Sequence, residues 1–185
     1  MLTIRPLTPS RWKDLEALFG ERGASGGCWC MFWRLPRTVF VRQKGSANRR
    51  ALRKLVRQGD PPGLIAYDGR APVGWCAIAR RADYPALARS RILKPVDGEP
   101  VWSVSCLFVA RPYRRRGVST RLLQAAAEYA RERGARIVEG YPVETKEKAP
   151  DVFVWNGLAS AFRQAGFHEV ARRSKTRPIM RRIVR

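Results

Sequence analysis

The chain has 185 residues, 37 of them lysine or arginine and 15 aspartate or glutamate, for a formal charge of +22. An apolar share of 45% excludes a disordered chain, and the length suits one domain over residues 1–185 with a sizeable core. No run reaches the roughly 18 apolar residues of a membrane helix, and Met1-Leu-Thr-Ile-Arg-Pro has no basic-then-apolar leader, so no membrane partner and a cytoplasmic location are expected.

Leu2 to Pro6 reads as a first strand. Thr8-Pro9-Ser10 then supplies a cap and an early proline for a helix carrying Trp12, Leu15, Ala17, Leu18 and Phe19. A glycine-rich break leads to Cys28-Trp-Cys-Met-Phe-Trp33, which is apolar and aromatic but follows no clear period. It is either core or a pocket wall. Ser46 to Gln58 predicts a second helix, with Leu52, Leu55 and Val56 inward and Arg49, Arg50, Arg53 and Arg57 outward. Leu64 to Tyr67 and Val73 to Ala79 predict a hairpin, because Asp68-Gly69 is a strong tight-turn signal. Residues 82–98 look irregular apart from a short helix around 84–91. Val101 to Ala110 is a buried strand by composition. From Gly117 the period becomes helical, with Val118, Leu122, Ala126 and Ala130 on one face and Arg121, Gln124, Glu128 and Glu132 on another. Gly134 stops that helix, and a strand from Arg136 to Glu139 follows. A polar loop over 141–151 precedes a helix from about Phe153 to Ala165, expected to bury Trp155, Leu158, Ala159 and Phe162. Phe167 to Ala171 and Pro178 to Val184 complete the strands. The order predicts an α/β fold with a mixed, largely antiparallel central sheet flanked by helices.

The strand, basic turn and helix at Leu107 to Leu123 carry the chemistry. The first N–H groups of a helix have no internal partner, and its dipole turns a positive end to the preceding loop. Gly117 lets a ligand approach the backbone, and Arg114, Arg115 and Arg116 add charge. A pyrophosphate suits such a place. Arg114-Arg-Arg-Gly117-Val-Ser119 resembles the R/Q-x-x-G-x-G/A loop of the GNAT superfamily of acyl-CoA N-acyltransferases, with Ser119 for the second small residue. Asn156-Gly-Leu-Ala159-Ser-Ala-Phe162-Arg-Gln-Ala-Gly166-Phe167 resembles that family's N-x-x-A-x-x-x-Y-x-x-x-G-F segment. It has one residue fewer between Ala159 and Phe162, which puts Asn156 out of register, and Phe162 stands where the family carries a tyrosine acid.

The resemblance implies a GNAT-like fold and N-acetyl transfer from acetyl-CoA to a primary amine by direct attack, with no metal. It implies that Leu107, Phe108, Val109, Arg114, Arg115, Arg116, Gly117, Val118, Ser119, Thr120 and Asn156 hold the cofactor, with the oxyanion donor at Phe108 or a neighbour. Acid and base candidates are Tyr141, Glu139 and Glu144, with Asp151 behind them. Cys28, Trp29 and Trp33 are candidate acceptor walls, and Arg49, Arg50 and Arg53 stand at the pocket mouth for an anionic group. A small-molecule amine is the expected acceptor, and a homodimer is left open. Cys28-Trp-Cys30 has a poor zinc spacing and no second pair, and His168 is remote, so no metal site is expected. Cys76 and Cys106 read as small core residues, and His168 as a surface one. The charge alone attracts polyanions, but no motif for specific nucleic-acid readout is present. The alternatives are a protein N-acetyltransferase, or a non-catalytic CoA-binding or nucleic-acid-binding module on the same fold.

Overall fold

Apolar strand runs from both ends of the chain pair into one seven-stranded sheet in a computed structural model that describes residues 2–144 and 155–185. The strands are β1 (Leu2–Pro6), β2 (Gly63–Asp68), β3 (Ala71–Arg80), β4 (Trp102–Val109), β5 (Ile137–Gly140), β6 (His168–Arg172) and β7 (Pro178–Ile183). Their spatial order is β1-β2-β3-β4-β5-β7-β6. Among the described residues every neighbouring pair is antiparallel except β4 with β5. The expected mixed, largely antiparallel sheet is therefore present.

Six α-helices are described: α1 (Trp12–Phe19), α2 (Arg37–Arg42), α3 (Ser46–Arg57), α4 (Pro85–Ala88), α5 (Val118–Arg131) and α6 (Ala159–Gln164). Strand alternation divides the core between two faces. Leu64, Ala66, Cys76, Ile78 and Val104 meet α5 through Val118, Leu122, Ala126 and Ala130. Ile65, Tyr67, Trp75, Ala77 and Cys106 meet α1 and α3 on the other face. Contact with α5 is close: a Cβ at Gly74 of β3 would lie 3.0 Å from both Leu122 and Val118 side-chain atoms. The helical face expected from the sequence is the face that is buried.

Three expectations need correction. Helix α2 has no counterpart in the sequence reading. Helix α6 starts at Ala159, because Gly157 has φ +86° and Leu158 is extended, conformations that an α-helix cannot include. Leu158 is consequently exposed rather than buried, and residues 153–154 lie outside the described residues. Trp29, a candidate pocket wall, lies in the core at 4% exposure. It stacks 6.0 Å from Trp12 and lies tilted 5.5 Å from Phe19, and its indole covers Gly23 so closely that a Cβ there would lie 2.2 Å from Nε1. The aromatic packing under α1 claims it. Trp29→Ala should cost about 3–5 kcal/mol of unfolding free energy in urea titration, the usual range for a deleted core aromatic. A loss below about 1 kcal/mol, within the scatter of surface changes, would contradict the core assignment.

Candidate functional site

Strands β4 and β5 pair through only three registers, Trp102 with Val138, Ser103 with Glu139 and Val104 with Gly140. Beyond Val104 they part. The register of β4 against β3 shifts at the same level: Ala77 faces Cys106 while Ile78 faces Val104, so Ser105 is the extra residue of a bulge. The segment Trp155–Leu158 wedges into the gap. Leu107 N–H donates to the Trp155 carbonyl at 2.7 Å, and Asn156 Nδ2 donates to the Ser105 carbonyl at 2.9 Å. On the other side Val143 N–H donates to the Gly157 carbonyl and Ala159 N–H to the Val143 carbonyl.

Alternation fixes which β4 groups face the opening. Ala110 N–H bonds the Val73 carbonyl, on the β3 side, while the Val109 carbonyl accepts from Arg114 Nε at 3.0 Å. Phe108 points its backbone the same way as Ala110, so Leu107 and Val109 are the β4 residues whose N–H groups turn toward the gap.

At the end of β4 the chain makes one 3-10 turn at Arg111–Tyr113 and then the basic loop. Arg115 has φ +60° and Gly117 φ +73°, so the backbone twice enters the left-handed region before α5 begins at Val118. That geometry turns successive N–H groups into a concave anion nest. The first turn of α5 holds no acidic residue and Gly117 offers no side-chain cap, so its N–H groups keep their positive character. Arg115, Arg116 and Gly117 are exposed, Ser119 and Thr120 half-buried, and Val118 packs into the core. The Arg116 guanidinium lies 5.6 Å over the Tyr113 ring, and Thr120 Oγ1 donates to Gln164 Oε1 of α6.

The acid and base candidates have other occupations. Glu139 is fully buried: Oε1 accepts from Arg81 at 3.0 Å and from the Tyr141 hydroxyl at 2.7 Å, and Oε2 from Arg181 Nε at 2.7 Å. Arg181 also forks onto Asp97 at 2.6 and 3.0 Å. Tyr141 is equally buried, shares its hydroxyl with Ser103 at 2.8 Å, and has its pKa pushed up by burial and then by the Glu139 charge. Glu144 is bonded to both Arg163 and Arg172, which hold its carboxyl below the usual range. A carboxylate so held is a poor base. Asp151 lies outside the described residues. Phe162 is fully buried, with its ring edge against Gly140, where a Cβ would come within 2.1 Å, and it has no proton to give.

Of the acceptor candidates only Trp33 lies in an aromatic wall by the opening. It stands 4.8 Å from Phe32 and 6.0 Å from Trp155, and Phe32 also meets Phe40 at 5.2 Å and Trp155 at 5.3 Å. Half-buried Cys28 turns its thiol to the Gly23 carbonyl at 3.6 Å. Cys30 is buried with Sγ 3.4 Å from Cys106 and 3.1 Å from Trp75 Nε1. Arg49 is bonded to Glu16 of α1 and Arg53 lies 5.8 Å over the Trp12 ring, so these two clamp α3 onto α1 instead of lining a mouth. Next to the wall, Arg34 stacks 4.5 Å over buried Tyr84. The Tyr84 phenol is raised by burial, against the pull of Arg34 and a hydrogen bond with Ser105.

A sequence model for the GNAT acetyltransferase family matches residues 29–149. The chain belongs to this family. Solved GNAT structures share its fold at low identity. The GNAT-family acetyltransferase from Streptococcus pneumoniae is 14% identical, with TM-score 0.58, covering 100% of this chain and 99% of its own. A GNAT-family acetyltransferase from Listeria monocytogenes is 8% identical, with TM-score 0.59, covering 99% and 95%. The PaiA N-acetyltransferase from Thermoplasma acidophilum, solved in complex with coenzyme A, is 14% identical, with TM-score 0.53, covering 100% and 99%. No curated protein sequence matches the chain.

It is thus an acyl-CoA-dependent N-acetyltransferase, and the parted β4–β5 pair with the nest at Gly117 is its conspicuous feature. The sequence reading missed Tyr84, Arg34, Trp155 as a wall, and Arg177, which donates to Asn156 Oδ1 at 3.0 Å. Two serines inside an otherwise apolar strand, Ser103 and Ser105, were the available signal that polar partners converge on β4. As for Glu139, removing its charge takes from Arg81 its carboxylate partner among the described residues and leaves Arg181 with Asp97 alone. Glu139→Gln should therefore lower unfolding free energy by about 3–5 kcal/mol, as for other broken buried pairs. A stable but inactive Glu139→Gln would instead make this carboxylate a participant in the reaction.

Proposed function

We propose that this GNAT enzyme acetylates a primary amine of a small molecule, in the cytoplasm, by direct attack on acetyl-CoA. The observation that carries the reading is the parting of β4 from β5 directly before a basic loop with a left-handed glycine. The nest at Arg115–Gly117 and the N–H groups of Val118, Ser119 and Thr120 suit the pyrophosphate, with Arg114 anchoring the loop to β4 through the Val109 carbonyl. The uncharged pantetheine arm then extends along β4 beside Leu107, Val109 and Asn156.

In that pose the thioester carbonyl accepts from Val109 N–H, or from Leu107 N–H once the Trp155 carbonyl yields it. Such a donor stabilises the oxyanion that forms as the amine attacks. The new C–N bond forms, the tetrahedral intermediate collapses, and the C–S bond breaks to release CoA as thiolate. Phe162 has no proton and the Tyr141 hydroxyl is held by Glu139 and Ser103, so the proton that the amine nitrogen loses passes through water to the departing thiolate. Glu139 and Glu144 are both ion-paired and so do not take a proton from the acceptor, which enters as the neutral amine. Positioning supplies most of the rate. The aromatic wall of Phe32, Trp33 and Trp155 supports a small, partly apolar acceptor rather than a protein surface.

Two measurements address the two ends of this pose. A Cβ at Gly117 meets nothing within 4 Å, so Gly117→Asp places its carboxylate where the pyrophosphate is proposed, with a backbone cost of roughly 1–2 kcal/mol for the left-handed φ. Acetyl-CoA binding should vanish by calorimetry in a folded protein; unchanged affinity would remove the pyrophosphate from this loop. At the other end, Trp33→Ala should raise the acceptor KM about tenfold, as expected for a lost aromatic contact of about 1.4 kcal/mol, and spare acetyl-CoA affinity. A screen that finds proteins acetylated and small amines inert would transfer the reading to a protein N-acetyltransferase.

A further inference from the structure

Most enclosed guanidiniums in this protein meet carboxylates. Arg81 bonds Glu139, and Arg181 bonds both Glu139 and Asp97. Arg177, half-buried in the connection that leads into β7, is different. Its one hydrogen bond among the described residues runs from Nη2 to the neutral Oδ1 of Asn156 at 3.0 Å, and its Nε is buried without a partner. The neighbouring Glu144, whose N–H bonds the Thr176 carbonyl, gives its carboxylate to Arg163 and Arg172. A guanidinium taken partly from water with no counter-charge among the described residues is unfavourable, and burial duly pulls its pKa below the ordinary arginine value.

Its position says which anion it awaits. Asn156, the acceptor of the Arg177 bond, itself donates to the Ser105 carbonyl at the bulge of β4. Ser105 lies four residues before Val109, about 13 Å back along an extended strand, and the basic loop lies beyond Val109. Arg177 therefore sits at the opposite end of the opening from the nest. Acetyl-CoA with its pyrophosphate at Gly117 brings only the neutral pantetheine arm and thioester toward this end. The remaining reactant is the acceptor.

We infer that Arg177 recognises a carboxylate on the acceptor amine, using the guanidinium edge that Asn156 does not occupy. The inference rests on the small-amine reading and narrows it to amino-acid-like substrates. Asn156 aligns the fork, and the aromatic wall of Trp33 and Trp155 takes the apolar part of the molecule. Arginine suits this task because its planar donors match a carboxylate in two parallel bonds, which lysine cannot reproduce.

The test follows thiol release from acetyl-CoA with paired probes that differ in the carboxylate alone: phenylalanine against phenethylamine, and tryptophan against tryptamine. The wild-type enzyme should favour the acid of each pair in kcat/KM by about tenfold or more, the value of a charged hydrogen-bonded pair. In Arg177→Gln that ratio should fall toward one through KM of the acid, and Arg177→Lys should restore it only in part. Acetyl-CoA affinity of each variant shows that it is folded. A wild-type enzyme indifferent to the carboxylate, or a preference that survives in Arg177→Gln, overturns the inference and leaves the small-amine reading standing. Inertness toward every small amine, with protein acceptors modified, overturns both.

Discussion

A strand in the middle of a sheet must satisfy its backbone groups on both edges, and β4 does so with β5 over only three registers. Everything distinctive here follows from that early parting. Because β4 bulges at Ser105, its later residues diverge from β5, so Leu107 N–H takes the Trp155 carbonyl as its partner and Val109 N–H turns toward the gap. The chain fills part of that gap with Trp155–Leu158, bonded to β4 on one side and to Val143 on the other. The same strand then runs directly into the Gly117 nest and α5. One divergence thus lines up the open edge of β4 with the left-handed turn at Gly117.

Holding two parted strands apart requires rigid ends, and buried charge supplies rigidity where the pairing stops. Glu139, Tyr141, Ser103, Arg81, Arg181 and Asp97 tie β4, β5, β7 and the β3–β4 connection together just before the opening. Such a network is costly unless every member is satisfied, and here Glu139 accepts three hydrogen bonds. The consequence for chemistry is that Glu139 and Tyr141 are structural partners of one another. In the proposed reaction, a site whose described residues offer backbone donors and an aromatic wall, with Glu139, Tyr141 and Glu144 held in hydrogen bonds, leans on orientation and on the reactivity of the thioester itself.

Much of the fold was legible because its signals are local. The face of α5, the Asp68-Gly69 hairpin and the strand leading into Arg114–Gly117 each depend on period or turn chemistry that neighbouring residues set. The left-handed turn at Gly117 was legible for the same reason, since a glycine at the opening of a helix marks it, whereas the positive φ of Arg115 was not. What was not legible depends on residues far apart in sequence. Trp29 and Trp33 lie four positions apart in one aromatic run, yet one is claimed by Trp12 and Phe19 and the other by Phe32 and Trp155. Glu139 looks like any strand-end carboxylate until Arg81 and Arg181 close on it. Arg177 is one basic residue among 37, and only its burial beside Asn156 sets it apart. Helix α6 was placed too early because Asn156-Gly-Leu reads as helical until Gly157 takes a positive φ.

Amide hydrogen exchange in the presence and absence of acetyl-CoA tests the central claim most directly, because that claim concerns named backbone N–H groups. Saturating acetyl-CoA should slow exchange at Arg116 to Thr120 and at Val109, at the two ends of one ligand, while α1 and α3 are unaffected. Protection confined to other segments, with the amides of Val109 and Gly117 to Thr120 exchanging as before, would contradict the assignment of the opening between β4 and β5 as the acetyl-CoA site.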